Sequence, residues 1–163
     1  MAKRTEFSTQ QVADAIRTGL PNRPDVVLAQ TEASELAVIS RESLSHYREH
    51  VQESIAVGDY RQAAEKSWGA FTQTIKSIAA DHGYRVRSHT NIMRVSEKLT
   101  ALVLATDPET GAILDEGTNS AHSMHIHFYE NDLPDETVVR RANSTSTIID
   151  LLQELFAPED AAS

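Results

Sequence analysis

The chain has no cysteine, one tryptophan, six glycines and five prolines in 163 residues. The missing cysteine excludes disulfide frameworks, thiolate zinc sites and cysteine nucleophiles, and it fits a reducing compartment. No apolar run approaches the roughly 20 residues needed to cross a bilayer. The start, MAKRTEFSTQQ, is basic but lacks the apolar stretch of a secretory signal. The expectation is therefore a cytoplasmic protein without membrane contact. Alternating β-branched runs are also absent, which leaves helices as the building material. There is no G-x-S-x-G nucleophile elbow, no glycine-rich phosphate loop and no dinucleotide fingerprint. The Glu-x-x-His pair of di-iron bundles is missing as well.

What remains is ordinary globular material, 40% hydrophobic and 24% charged, enough for one domain with a complete core. Its net charge of −9 is unevenly spread. Residues 1–40 carry four bases and five acids, residues 41–98 nine bases and seven acids, and residues 99–163 two bases and twelve acids. Such a protein repels a polyanion globally, so any nucleic-acid contact must be local. The segment 82–96, HGYRVRSHTNIMRVS, offers Arg85, Arg87, Arg94, His82 and His89 with no acid among them.

Apolar spacing gives helices with short connections. A first helix runs from Thr9 to Thr18 behind a Ser8/Gln11 capping box and ends at Gly19 and Pro21. A long helix, starting between Asp25 and Thr31, reaches Gly58. The third, Tyr60 to His82, has the cleanest stripe, with Ala64, Trp68, Phe71, Ile75 and Ile78 at steps of three and four. Gly83 then stands where a left-handed residue is wanted. Ser88 caps a helix carrying Ile92, Val95, Leu99 and Leu102. A turn over Asp107–Gly111 reverses the chain into a helix from Ala112 to Tyr129, whose Gly117 and Ala121 permit close approach of a neighbour. Pro134, Asp135 and Glu136 open the last helix. Its middle, NSTST at 143–147, has poor helix propensity and needs tertiary support. The expected architecture is an all-α, antiparallel up-and-down bundle of four to five helices, likewise expected to form a homodimer. Residues 1–24 form a short helix and loop, 25–157 the bundle, and 158–163 a frayed tail.

Three groups of residues carry candidate chemistry. His46-Tyr47-Arg48-Glu49-His50 spells H-x-x-E-H, a zinc-protease pattern. A chain this small has no room for that scaffold, and a solvated helix face accounts for the spelling. The second group is His122, His125, His127 and Tyr129, followed by Glu130 and Asp132. His122, His125 and Tyr129 share a helical face, while His127 points elsewhere. Imidazoles titrate near neutrality, so His125 and His127 are candidate acid–base groups. His122 with His125 is the alternative metal pair; otherwise no metal or cofactor is expected. In the third group, Arg85, Arg87, His89 and Arg94 with the Ser88 helix start suit a phosphate. The competing reading pairs these arginines with the acidic C-terminal third.

The stretch Gly58-Asp59-Tyr60-Arg61-Gln62-Ala63-Ala64-Glu65-Lys66-Ser67-Trp68-Gly69-Ala70 resembles the second-helix signature of HEPN-type helical domains, and most closely their archaeal paREP-type branch. Met124-His125-Ile126-His127-Phe128-Tyr129-Glu130 is similar to that branch's His-x-Asn-Phe-Tyr-Glu region, and the resemblance covers about residues 40–156. It implies an antiparallel bundle that dimerises. Many HEPN domains are ribonucleases, often toxins paired with a nucleotidyltransferase-like antitoxin; others bind nucleotides or are non-catalytic. Catalytic members place an arginine four to six residues before the histidine. Here the corresponding positions hold Thr118, Asn119 and Ser120 for His125, and Ser120, Ala121 and His122 for His127. Arg41 and His46 have the spacing, but on another helix. The resulting expectation is an HEPN-like dimer that binds RNA or a nucleotide without the usual ribonuclease motif. Arg85, Arg87, His89, Arg94 and Tyr129 would line the site beside His125 and His127. The alternatives are a metal-independent endoribonuclease, a toxin–antitoxin-like interaction partner and a metal-binding bundle.

Overall fold

A computed structural model of the protein describes residues 6–158. It contains six α-helices: α1 (Thr9–Gly19), α2 (Gln30–Ala56), α3 (Tyr60–Asp81), α4 (His89–Leu104), α5 (Pro108–Glu130) and α6 (Asp135–Phe156). A single 3-10 turn, Pro24–Val26, precedes α2. Among the described residues there is no strand, only an isolated bridge between Val27 and Tyr84. The basic start is largely outside the described residues, as is the tail expected after Pro158.

Helix boundaries follow local chemistry. The Ser8 side chain accepts from the Gln11 amide while the Gln11 side chain accepts from the Ser8 amide, the reciprocal cap that the spacing predicted. Ser88 accepts from the Asn91 amide and starts α4. Gly83 ends the α3 turn at φ +86°, a conformation that costs a Cβ-bearing residue energy but glycine little.

Two expectations need correction. Among the described residues the count is six helices, not four to five, because α1 is a full member of the core. The 107–111 stretch is also not a free turn. Asp107 accepts from the Thr110 amide and Pro108 occupies the first helical position, so α5 begins four residues earlier than expected.

Helix α3 is the central element, touching α2, α4, α5 and α6. Its stripe of Trp68, Phe71, Ile75 and Ile78 joins Val12 and Ile16 of α1, Ile92, Val95 and Leu99 of α4, Leu114 of α5 and Ile148 and Leu152 of α6 in one core. Each such side chain contributes about 1.5–3 kcal/mol when fully buried. Where α5 meets α6, Gly117 lies against the Ile148 side chain so closely that no Cβ fits between them. The polar run of α6 is absorbed by the helix itself: Thr145 and Thr147 hydroxyls donate to the carbonyls of Arg141 and Asn143.

Candidate functional site

Glu65 and Trp68 lie three residues apart on α3 and therefore share a face, with Arg61 one turn earlier. Helix α5 runs alongside and presents His122, His125 and Tyr129 at the same spacing. The start of α4 adds His89. The outcome is a row of rings. Trp68 lies 4.9 Å from His89, 5.1 Å from His125 and 6.1 Å from His122, centroid to centroid. His89 is 5.1 Å from His122 and 5.0 Å from His125. Tyr129 meets His125 edge-on at 5.3 Å and is 63% exposed. Trp68 is the buried floor, while the imidazoles and the phenol form the accessible surface.

The electrostatics are unusual for an acidic protein. Burial holds the His89 imidazole below its ordinary pKa, and the neighbouring His125 and His122 push it further down. Its neutral form is thus favoured, with a basic nitrogen at the positive end of α4. Glu65 Oε2 stands 3.5 Å from His125 Nδ1, and both atoms are buried with no hydrogen-bond partner. A small rotation of either side chain makes a carboxylate–imidazole pair that orients His125. At the other end, Arg61 donates through Nε to the Phe128 carbonyl and lies over the Phe128 ring. Phe128 in turn packs against Tyr129. Arg61 is in no ion pair among the described residues.

The sequence-derived candidates are therefore only partly gathered. His89, His122, His125 and Tyr129 come together. His127 does not: two residues from His125 on a helix, it faces the opposite way, is 2% exposed, and its Nδ1 accepts from the Leu133 amide. This bond ties down the turn after α5. Arg85 is also elsewhere. Its backbone N–H donates to the Val26 carbonyl, and its guanidinium stands 3.6 Å from Glu32 at the start of α2. Arg87 is exposed two residues before His89, and Arg94 is exposed on α4, roughly 140° around the helix from His89. Neither forms an ion pair among the described residues.

Arg41, half of the alternative Arg/His spacing, is held by Asp81 at 2.9 Å. His46 and His50 are exposed on α2 with ring centroids 6.3 Å apart. No three His, Asp or Glu side chains among the described residues are disposed to hold one metal ion. Sequence reasoning overlooked Glu65, Trp68 and Arg61 as site residues. Their 61/65/68 spacing was the available signal, but Trp68 also fits the core stripe.

Fold and site together define an all-helical bundle that carries a histidine–aromatic cluster between α3, α4 and α5. Residues 39–149 match the archaeal PaREP1/PaREP8 family, and the chain belongs to that family. No curated protein and no solved structure matches the chain. No helix among the described residues is long and apolar enough to cross a membrane.

Proposed function

We propose that the protein is an HEPN-like homodimer that binds single-stranded RNA or a nucleotide on the cluster formed by His89, His122, His125 and Tyr129. The observation that carries this reading is the gathering of three tilted imidazoles around Trp68, with centroids 4.9–6.1 Å from it, beside an exposed tyrosine. Proteins that take up unpaired bases use such ring platforms, and each stacked base contributes about 1–3 kcal/mol. His89 and the amides at the start of α4 suit a phosphate, since a helix start attracts anions. Arg61 and Arg87 flank the two ends of the row. With a net charge of −9, any anion contact would rest on such local groups.

Fluorescence polarisation with labelled single-stranded RNA at low salt tests the reading. Tyr129→Ala should weaken binding about tenfold, within the range of one lost stacking contact. A protein that binds neither RNA nor nucleotides, with no rise in melting temperature from either, would refute it. Sedimentation analysis checks the dimer.

The Glu65–His125 approach supports a second reading, a metal-independent ribonuclease. An imidazole oriented by a carboxylate abstracts a ribose 2′-hydroxyl proton readily, and a second histidine can protonate the leaving oxygen. Cleavage of single-stranded RNA that His125→Ala abolishes would favour this over simple binding.

A further inference from the structure

On another flank of α3 lies a separate, half-open cavity of about 200 Å³ lined by α2, α3 and α6. Its polar side is made by Arg48, Gln52, Ser67, Thr145 and Ser146, and its apolar side includes Val51 and Ile149. Ser67 is 2% exposed and its hydroxyl has no hydrogen-bond partner. A buried hydroxyl left unpaired is destabilising, so a partner for it is to be expected within the cavity. Arg48 is the one charged side chain on the cavity wall. Its guanidinium donates to Asp150 at 2.7 Å and to the Ser146 hydroxyl at 2.9 Å. Because the Ser146 oxygen accepts there, its own proton remains available to a ligand. The Thr145 hydroxyl, by contrast, is committed to the Arg141 carbonyl.

The donors facing the cavity are thus two hydroxyls, the Arg48 guanidinium and the Gln52 amide, with no acid on the wall. That set matches a single carboxylate, for which charge-assisted bonds are the strong ones. Size narrows the class further. Ligand pockets for larger molecules run to roughly 300–1,000 Å³, so this one could not take up a whole nucleotide. The volume corresponds to about seven water molecules at roughly 30 Å³ each. The apolar wall disfavours a strongly hydrated dianion such as phosphate.

We propose that the cavity between α2, α3 and α6 binds a small organic monocarboxylate, with the carboxylate against Arg48, Ser67 and Ser146 and the short apolar part against Val51 and Ile149. This site is independent of the histidine cluster. Ser67 and Trp68 project roughly 100° apart around α3 and serve the two faces separately. It also gives the polar run of α6 a role, because Thr145 and Ser146 belong to the segment whose propensity is poorest. Bound carboxylate bridges α2 to α6, two helices that otherwise touch little.

Isothermal titration of the intact protein with butyrate, and with the isosteric but neutral butyramide, tests the proposal. Butyrate should bind saturably at one per chain, and butyramide should not saturate over the same range. Ser67→Ala should weaken butyrate binding about tenfold, the loss expected for one hydrogen bond to a charged group. The variant should fold normally, because the hydroxyl it removes has no partner. Asp150→Asn should tighten binding by releasing Arg48 from its competing carboxylate, a gain that a purely structural Arg48–Asp150 pair would not produce. No saturable heat with butyrate, equal binding of the amide, or unchanged affinity in both variants would overturn the proposal.

Discussion

Replacing Gly117 by alanine places a methyl group where the Ile148 side chain already is. The nearest atom is the Ile148 Cγ2, and its Cβ and Cδ1 are each 3.0 Å from the new carbon. Ile148 cannot turn aside easily. It is 1% exposed, packed in the main core, and a β-branched residue in a helix has essentially one χ1 well. The strain must go into separating α5 from α6, and overpacking of this kind costs typically about 1–3 kcal/mol. Alanine returns roughly 1 kcal/mol through its better helix propensity. With contacts this close the upper end of the strain applies, leaving a net loss of about 2 kcal/mol, or about 4–8 °C in melting temperature for a chain of this size.

Urea unfolding followed by circular dichroism measures the loss directly. A double-mutant cycle identifies its origin. In an Ile148→Ala background the two γ-branch contacts are gone and only the Cβ, 3.0 Å away, remains, so most of the cost of Gly117→Ala should disappear. A neutral or stabilising effect of Gly117→Ala in the wild-type background would refute the close approach of α5 and α6. An equal cost in both backgrounds would refute the assignment to Ile148.

Two further outcomes follow from the site and its surroundings. His89 has a folded-state pKa below its ordinary 6.5, so between the two values the unfolded chain binds more protons than the folded one. Stability should therefore fall as pH drops below about 6.5, and His89→Asn should flatten that slope in denaturant titrations at pH 7.5 and 5.5; an unchanged slope would remove His89 as its source. Ser96 and Thr118 hydroxyls pair at 3.1 Å in the interior between α4 and α5. Ser96→Ala should cost about 1–3 kcal/mol by orphaning Thr118, whereas Ser96→Ala with Thr118→Val should recover most of it, and a double variant no better than the single would contradict the pairing.

The site was half legible. His122, His125 and Tyr129 could be placed on one face because helical periodicity is a local property, and His89 was singled out from an acid-free segment. The same segment misled for Arg85, whose neighbour Glu32 lies far away in sequence. Charge composition cannot say which arginine finds a partner, since that depends on which helix ends meet. Trp68 and Glu65 were hidden for a related reason. A tryptophan in an apolar stripe reads as core, and only the arrival of α4 and α5 from one side turns its edge into the floor of a site.

Helices, caps and the room for a close approach at Gly117 were determined by the sequence itself, because hydrogen-bond caps, backbone φ and 3.6-residue periodicity involve residues a few positions apart. The family follows from the same linear pattern. Which helices became neighbours was decided only in three dimensions. So was the central place of α3, with the histidine cluster on one flank and the Arg48–Ser67 cavity on another. Those pairings depend on how whole faces complement one another across the core, and no short stretch of chain contains that information.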